Sequence, residues 1–338
     1  MHILTLTGSP FETGRQLGEF GREAYQQKIR ATALWRMTSE LQASTSCVAM
    51  RELVEHHFPL IWQELEGLAA GLEAPIAEVF AWNCRGDLVR STSDGCTTVA
   101  TLTADGAIVA HNEDGFPQLR GDCALAHVRP EDGVAFSCFV YPGSLCGHTF
   151  AVNEFGIVNT VNNIRAADRP SGLPRQVLAR AALNATTLDE AIAVLTTLPR
   201  CGAFHHTLAQ AGDERLFSVE ATGNASSVLP LSQPYGHANH LIHSRLAAQA
   251  QVITGSSAAR QQRLAQLLEK GGFDADGAIA MLSDSHNEAL PLYRQAPDDP
   301  DEENTLATAC FVLTRQEVLW QVFCTDRHLP EHKGSVTR

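Results

Sequence analysis

This 338-residue sequence predicts an α+β fold in which antiparallel sheets are covered by helices. Three observations carry that reading. Apolar residues recur at helical spacing through residues 1–90, and the period changes to two from residue 96. Helical and strand segments then come in blocks rather than in a strand–helix–strand series. The sequence also lacks a G-x-G-x-x-G after a strand, a G-x-x-x-x-G-K-[ST] loop and a G-x-S-x-G elbow. Apolar residues make up 44% of the chain, enough to bury a sizeable core. With no interior linker, residues 1–338 read as a single domain.

The elements follow in order. A short strand is expected at 3–7, then a helical stretch over 10–35 in which Gly14, Gly18 and Gly21 form a smooth face; close packing against another element would offset their poor helix propensity. Val54, Phe58, Ile61, Leu65, Leu68 and Leu72 repeat by three and four, a core stripe, and Pro59 should kink that helix or begin its second part. TTVATLTADGAIVAHNEDG reads as a hairpin turning at Ala104, Asp105 and Gly106. Further strands are expected at 123–129, 134–141 and 149–161, the last broken by a turn at 153–156. Helices at 174–184 and 188–198 follow, the second entered through Thr186 and Thr187 as caps. Strands return at 206–211, 215–220 and 227–231. After HANHLIH come a long helix, SSAARQQRLAQLLEK, with Ser257 as its N-cap, and a shorter one at 276–282. The acidic run 297–304 reads as a solvated loop, and ATACFVL with VLWQVFC as a closing hairpin.

Charge restricts the partners. The chain has 25 basic and 38 acidic residues, net −13, so it repels a phosphate backbone and nucleic-acid binding is not expected. No window approaches the roughly 18 uninterrupted apolar residues of a membrane span. The opening MHILTLTG has neither the basic region nor the apolar run of a secretory signal, so a cytoplasmic location is expected. The nine cysteines stand singly with no C-x-x-C pair. That pattern suits small buried hydrophobes better than a disulfide framework or a zinc ribbon.

Chemistry concentrates in WNCRGDLVRSTSDGCTTVATLTADGAIVAHNEDG. Gly95 and Cys96 stand where the helical region meets the first long strand, with Thr97, Thr98 and the NED tripeptide (Asn112, Glu113, Asp114) close by. Taken singly, Cys96 could be packing, and Asp114 could form an Asx-type turn with Gly115. HANHLIH could be a turn or a cluster of His237, His240 and His243, although its spacing lacks the i, i+4 pair of a helical metal site.

The order of segments resembles the acyl-coenzyme A:6-aminopenicillanic acid acyltransferase family (peptidase family C45), self-cleaving N-terminal-nucleophile hydrolases that include carcinine hydrolase-like members. The resembling segments are GSPFETGRQLGEFGREA, ELEGLAAGLEAPIAEVFAWNCRGDL, DGCTTV, HNEDG, AVNEFGIVNTVNN, GLPRQVLARAAL, HANHLIH and SSAARQQRL. The resemblance implies a four-layer αββα sandwich. It also implies self-cleavage between Gly95 and Cys96 into chains 1–95 and 96–338 that stay associated. Glycine would leave its carbonyl open to the thiol, and cleavage would give Cys96 a free α-amine as the base for its own thiol. A reference pKa near ~8 suits that amine to the task.

By the same resemblance Asn239 is the oxyanion donor and Asp114 the acid beside the amine. Asn83, Arg85 and Thr98 support the site, with WNCRGDL matching the family's strand before the cleavage site. Glu220 and Arg260 also match family positions and read first as structural ion pairs or caps. His205 and His206 depart from the family's small hydroxyl residues, and the basic residue expected late in the family has no match near residue 305. No cofactor and no metal are expected. The expected partner is a small N-acylated amine, with acyl-coenzyme A as one acyl source. Glu113 stands where penicillin-type members carry an aromatic residue. An acid beside an acyl pocket needs a partner, and a substrate ammonium could supply one, unless strand alternation turns Glu113 to solvent. Two other functions compete, a papain-like Cys/His protease and an uncleaved binding protein of the same fold. The missing C-G-[SA]-C-[WY] signature argues against the first, and intact mass separates the second.

Overall fold

The computed structural model describes residues 1–89, 95–296, 298–299 and 302–338; Asp94 of DGCTTV and residues 297, 300 and 301 of the acidic run lie outside the described residues. Strand β1 (His2–Gly8) leads into helices α1 (Pro10–Ala24), α2 (Ala33–Glu40), α3 (Thr45–His57), α4 (Pro59–Leu72), α5 (Ile76–Asn83) and α6 (Arg85–Leu88). The hairpin β2 (Cys96–Leu102) and β3 (Ala107–Gly115) follows, then β4 (Ala124–Pro130), β5 (Phe136–Val140), β6 (Phe150–Asn153) and β7 (Ile157–Ile164). Helices α7 (Arg175–Ala182) and α8 (Leu188–Thr197) precede β8 (Ala203–Gln210), β9 (Leu216–Ala221), β10 (Ser226–Pro230) and β11 (Tyr235–His237). The chain ends with α9 (Gly255–Leu268), α10 (Ala275–Leu282), β12 (Asn304–Leu313), β13 (Glu317–Phe323) and β14 (His332–Thr337).

Among the described residues the strands form two sheets. One has the order β1-β4-β5-β6-β7-β8-β9-β10, the other β11-β2-β3-β12-β13-β14. Among the described residues these strands pair antiparallel except β1 with β4, where His2 to Gly8 run alongside Ala124 to Pro130. The sheets face each other through β2 and β3 against β7 and β8. Helices α1 and α8 lie against the first sheet, with α4 and α7 packed on them, and α9 and α10 cover the second. This is the αββα sandwich that the resemblance implies.

Local chemistry explains the helical layer. Ser9 and Glu12 form a capping box ahead of Pro10, which starts α1 at the position where proline's missing N–H is harmless. Helices α1 and α4 then approach backbone to backbone. A Cβ at Gly14 or Gly18 would run into the carbonyls of Glu64 or Leu68, and one at Gly67 or Gly71 into those of Phe11 or Arg15. Pro59 begins the second helix rather than bending one long helix. The stretch expected to be helical to residue 35 loosens at Tyr25–Ile29 into a π turn before α2.

Four expectations need correction. WNCRGDL is not a strand. Trp82 and Asn83 end helix α5, in which Val79 to Asn83 are all buried, and Arg85 opens α6. The N-cap of α9 is Thr254, whose side chain accepts from Ser257 N; Ser257 lies within the first turn. The acidic run is only partly solvated: among its described residues Asp298 and Glu302 are exposed, but Asp299 and Glu303 are buried on Arg294. The edge strand β14 was not expected, because its half-exposed HKGSVT has no apolar alternation to betray it.

Candidate active site

Strand alternation sorts the site into two faces. In the β2–β3 hairpin Cys96 pairs with Glu113 and Thr98 with His111, so these four side chains point together into the space between the sheets. Thr97, Asn112 and Asp114 point the other way, beneath α9 and α10. There Thr97 Oγ1 accepts from Arg260 at 2.9 Å, and Asn112 Nδ2 donates to the carbonyls of Leu282 and Leu292.

Both polar atoms of the Gly95–Cys96 peptide are held. Asp114 N donates to Gly95 O at 3.0 Å, and Cys96 N donates to Asn239 Oδ1 at 3.0 Å. Asn239 sits in the loop after β11, where Ser257 Oγ accepts its backbone N–H at 3.0 Å. Its Oδ1 also receives Arg260 Nη2 at 2.7 Å, and two donors on one oxygen fix the amide's orientation. Its Nδ2 donates to Asn163 O at 3.1 Å. Arg260, fully buried on α9, donates to Cys96 O at 2.6 Å as well. Burial lowers its pKa, a pull opposed by Asp114. Read from sequence as a structural pair or cap, Arg260 instead joins the cysteine to Asn239.

The hydrogen-bond partners of HANHLIH make it a turn built around Glu220. His237 Nε2 lies 3.1 Å from Glu220 Oε1, and Ile242 N and His243 N donate to the same carboxylate. His237 stacks on His205 with centroids 3.6 Å apart, while His240 Nδ1 turns to Ser257 Oγ at 2.8 Å. The three histidines therefore do not converge on one point. His206 bonds Asn159 Oδ1, so neither residue of the His205–His206 pair walls the cavity; the neighbouring Phe204 does.

Asp114 is buried at one end of a charge cluster. Its Oδ1 accepts from Thr305 Oγ1 at 2.7 Å, and its Oδ2 lies 3.9 Å from Arg294 Nη1. A bulge between Thr305 and Ala307 in β12 aims that hydroxyl. Arg294 also binds Asp299 and Glu303. Three carboxylates thus surround one guanidinium. Burial pushes Glu303 up to about 8 against the pull of Arg294, and it raises Asp114 too. Gly95 abuts this cluster, since a Cβ there would lie 2.9 Å from Arg294 Nη1 and 3.2 Å from Asp114 Oδ2, with Glu303 Oε2 nearer still. Near residue 305, where the sequence offered no basic residue, the fold brings Arg294 against Asp114. That arginine lies upstream, joined to Thr305 by its own backbone N–H.

On the inner face Cys96 Sγ lies 3.8 Å from Glu113 Oε2, which is 3.1 Å from His111 Nε2. His111 Nδ1 is 2.8 Å from Thr98 Oγ1, and Thr98 donates to Asn162 Oδ1 at 2.9 Å. Tyr141 OH donates to Glu113 Oε1 at 2.8 Å. Glu113 is therefore neither solvated nor dependent on a substrate for a partner, which removes the premise of the ammonium argument. The donor atoms of Cys96, His111 and Glu113 lie within 4.8 Å of one another, a spacing a metal ion could share. It is equally the spacing of the hydrogen-bonded chain just described, and we read the trio as that chain.

Cys96 and Glu113 border a cavity of about 10 Å³, room for a water molecule at most. Asn83, Arg85, Gly86, His148, Asn163, Arg175, Gln176 and Phe204 complete its wall. Asn83 is a scaffold: its Oδ1 accepts from Leu145 N and Gln176 Nε2, its Nδ2 donates to Val79 O and Gly143 O. Arg85 lies over the Trp82 ring and donates to Gln176 Oε1 at 3.2 Å. Burial lowers His111 and His148 to about 3, so both are neutral at ordinary pH. No described helix is long and apolar enough to cross a membrane.

A profile of the acyl-coenzyme A:6-aminopenicillanic acid acyl-transferase family matches residues 101–323, more than half of the chain. The chain is 24% identical to the acyl-coenzyme A:6-aminopenicillanic-acid-acyltransferase 40 kDa form of Emericella nidulans, over 92% of this chain and 89% of that one. It is 27% identical to the β-alanyl-dopamine/carcinine hydrolase of Drosophila melanogaster over 42% of each chain. Among solved structures, a mutant of the conjugated bile acid hydrolase from Clostridium perfringens aligns with a TM-score of 0.43 and 10% identity, over 72% of this chain and 92% of that one.

Proposed function

The chain belongs to the acyl-coenzyme A:6-aminopenicillanic acid acyl-transferase family, and from that premise we propose a self-cleaving cysteine amidohydrolase or acyltransferase. It cuts itself between Gly95 and Cys96, then acts on small N-acylated amines through a Cys96 thioester. The observation that carries this reading is the peptide held at both polar atoms, its oxygen by Asp114 N–H and its nitrogen by Asn239 Oδ1, with the cysteine's own thiol on the inner face. A donor on the carbonyl oxygen is what a developing oxyanion needs.

After cleavage Cys96 N becomes an α-amine that takes the proton of its own thiol. Asn239 Oδ1 and the Asp114 carboxylate stabilise the resulting ammonium. An amide nitrogen carries two hydrogens, so the Asn239 Nδ2 bond to Asn163 O leaves a second hydrogen for an acyl oxygen. The thiolate attacks the substrate carbonyl, the amine leaves with the proton held by the α-amine, and water or a second amine resolves the thioester. A papain-like pair would need a histidine on the thiol, whereas Cys96 Sγ faces the Glu113 carboxylate and His111 lies behind it.

The experiment is intact mass under denaturation. Wild type gives fragments ending at Gly95 and starting at Cys96, which stay one particle in native buffer, and Cys96→Ala stays a single chain. An uncut wild type, or a cut Cys96→Ala protein, overturns the reading.

A further inference from the structure

We propose that Glu113 is the general base that starts the self-cleavage, acting on the Cys96 thiol before any α-amine exists. The inference rests on the reading of Gly95–Cys96 as the bond that is cut. In the uncut chain Cys96 N is an amide, so the base of the later turnover is not yet there. The precursor needs a different group for its first proton transfer.

Glu113 is placed for that transfer. It is the direct cross-strand partner of Cys96, and its Oε2 is 3.8 Å from Sγ, within reach of a thiol hydrogen bond. Asp114, the other acid of the motif, points to the opposite face toward Thr305 and Arg294, away from the thiol. The Glu113 carboxylate is also oriented from both ends. Tyr141 OH donates to Oε1, and His111 Nε2 contacts Oε2. His111 is in turn set by Thr98 and Asn162, which brings the orientation from the facing sheet. His111 and Thr98 are positioning residues.

The step balances as follows. Glu113 Oε2 takes the thiol proton, and Sγ attacks the Gly95 carbonyl carbon. The C=O electron pair moves to Gly95 O, where Asp114 N–H holds it. Collapse of the tetrahedral intermediate breaks the C–N bond, and the nitrogen leaves with the proton from Glu113. The products are a Gly95 thioester on Cys96 and a free α-amine. Water then hydrolyses the thioester, releasing the Gly95 carboxylate and restoring the thiol.

The groups facing Glu113 decide its pH behaviour. Cys96 and His111 come from the hairpin, and Tyr141 from the segment after β5; Arg85 and Arg175 lie across the cavity with the neutral His148, and Cys123 lies near the start of β4. The two guanidiniums and the tyrosine hydroxyl favour the ionised carboxylate, and burial opposes them.

The test follows cleavage of freshly translated precursor by gel and mass. E113Q should slow it by at least ~10²-fold, as expected for loss of a general base, with its thermal transition retained. E113D, whose carboxylate is one methylene further back, should slow it less. Wild-type cleavage should fall as pH drops through the carboxyl range, an acid limb that serves even where a variant does not fold. A folded E113Q that matures at the wild-type rate, or wild-type cleavage flat from pH 4 to 8, overturns the role of Glu113. Wild type that never cuts at Gly95–Cys96 overturns the underlying reading instead.

Discussion

Gly95→Ala tests whether the cluster beside the peptide fills the space that glycine leaves. In a Cys96→Ala background, where the chain stays whole, the added methyl would meet Glu303 Oε2, Arg294 Nη1 and Asp114 Oδ2. The nearest oxygen would have to retreat by on the order of 1 Å to reach ordinary contact. Overpacking of a core typically costs about 1–3 kcal/mol. Pulling a carboxylate from a buried guanidinium sets a ceiling of about 3–5. We expect ~3 kcal/mol. At ~2.1 cal/mol/K per residue, the unfolding entropy of a chain this long is ~0.7 kcal/mol/K, so the melting temperature should fall by about 4 °C. Differential scanning fluorimetry reads this directly. The same substitution combined with Glu303→Ala should lose most of its penalty, because the obstructing carboxylate is gone. A fall of equal size with and without Glu303, or no fall at all, would refute the reasoning. With Cys96 intact, Gly95→Ala should also slow cleavage at least ~10-fold, because displacing the peptide weakens the bond from Asp114 N.

Three further outcomes are expected. Asn239→Ala, in protein that has matured, should lower kcat/KM for an N-acyl amine by ~10²-fold or more, and near-normal turnover would move the oxyanion donor elsewhere. Asp114→Asn should impair cleavage or turnover more than it changes the melting temperature, because its proposed partner is an ammonium that exists only after cleavage; normal maturation and turnover would remove that role. The third concerns pH. Burial holds Glu303 at about 8 in the fold, against roughly 4.3 in an unfolded chain. Between those values the folded state keeps a proton that the unfolded state has lost, so stability falls as pH rises and levels off above about 8. In the Cys96→Ala background, melting curves from pH 5 to 8 should decline less steeply with Glu303→Gln, and an unchanged slope would place that proton elsewhere.

Much of the frame was legible because it depends on local pattern. The stripe from Val54 to Leu72, the turn at 104–106 and the Thr187 cap follow from spacing and turn chemistry and stand where they were expected, except that Phe58 falls in the break between α3 and α4 and is half-buried. Around the Gly95–Cys96 peptide the family resemblance named Asp114 and Asn239, and both contact it, Asp114 through its backbone N–H and Asn239 through Oδ1. Arg260 and Arg294 were harder. A buried arginine looks the same in sequence as a solvated one, and what distinguishes it is a partner brought by the fold, here Cys96 O and Asn239 for one and Asp114 for the other. One signal was within reach. Arg294 lies five and nine residues before Asp299 and Glu303, so the acidic run had a local cation to fold upon. Glu113 was uncertain because alternation tells which residues share a face but not whether that face meets water or a second sheet.

The pairing of β1 with β4 gives the proposed cut a thermodynamic direction. Residues 2–8 are laddered to 124–130, and α1 lies over the same sheet, so opening the bond at 95–96 separates the chain without separating the fold. Before the cut, the two parts find each other within one polymer, at an effective concentration on the order of millimolar. Afterwards, at micromolar protein, reassembly is a meeting of two molecules and is disfavoured by about 10³, or ~4 kcal/mol. The folding information is thus spent once. A cut molecule that opens has a far poorer route back than its precursor had, and its working lifetime is set by how slowly it unfolds rather than by how well it refolds.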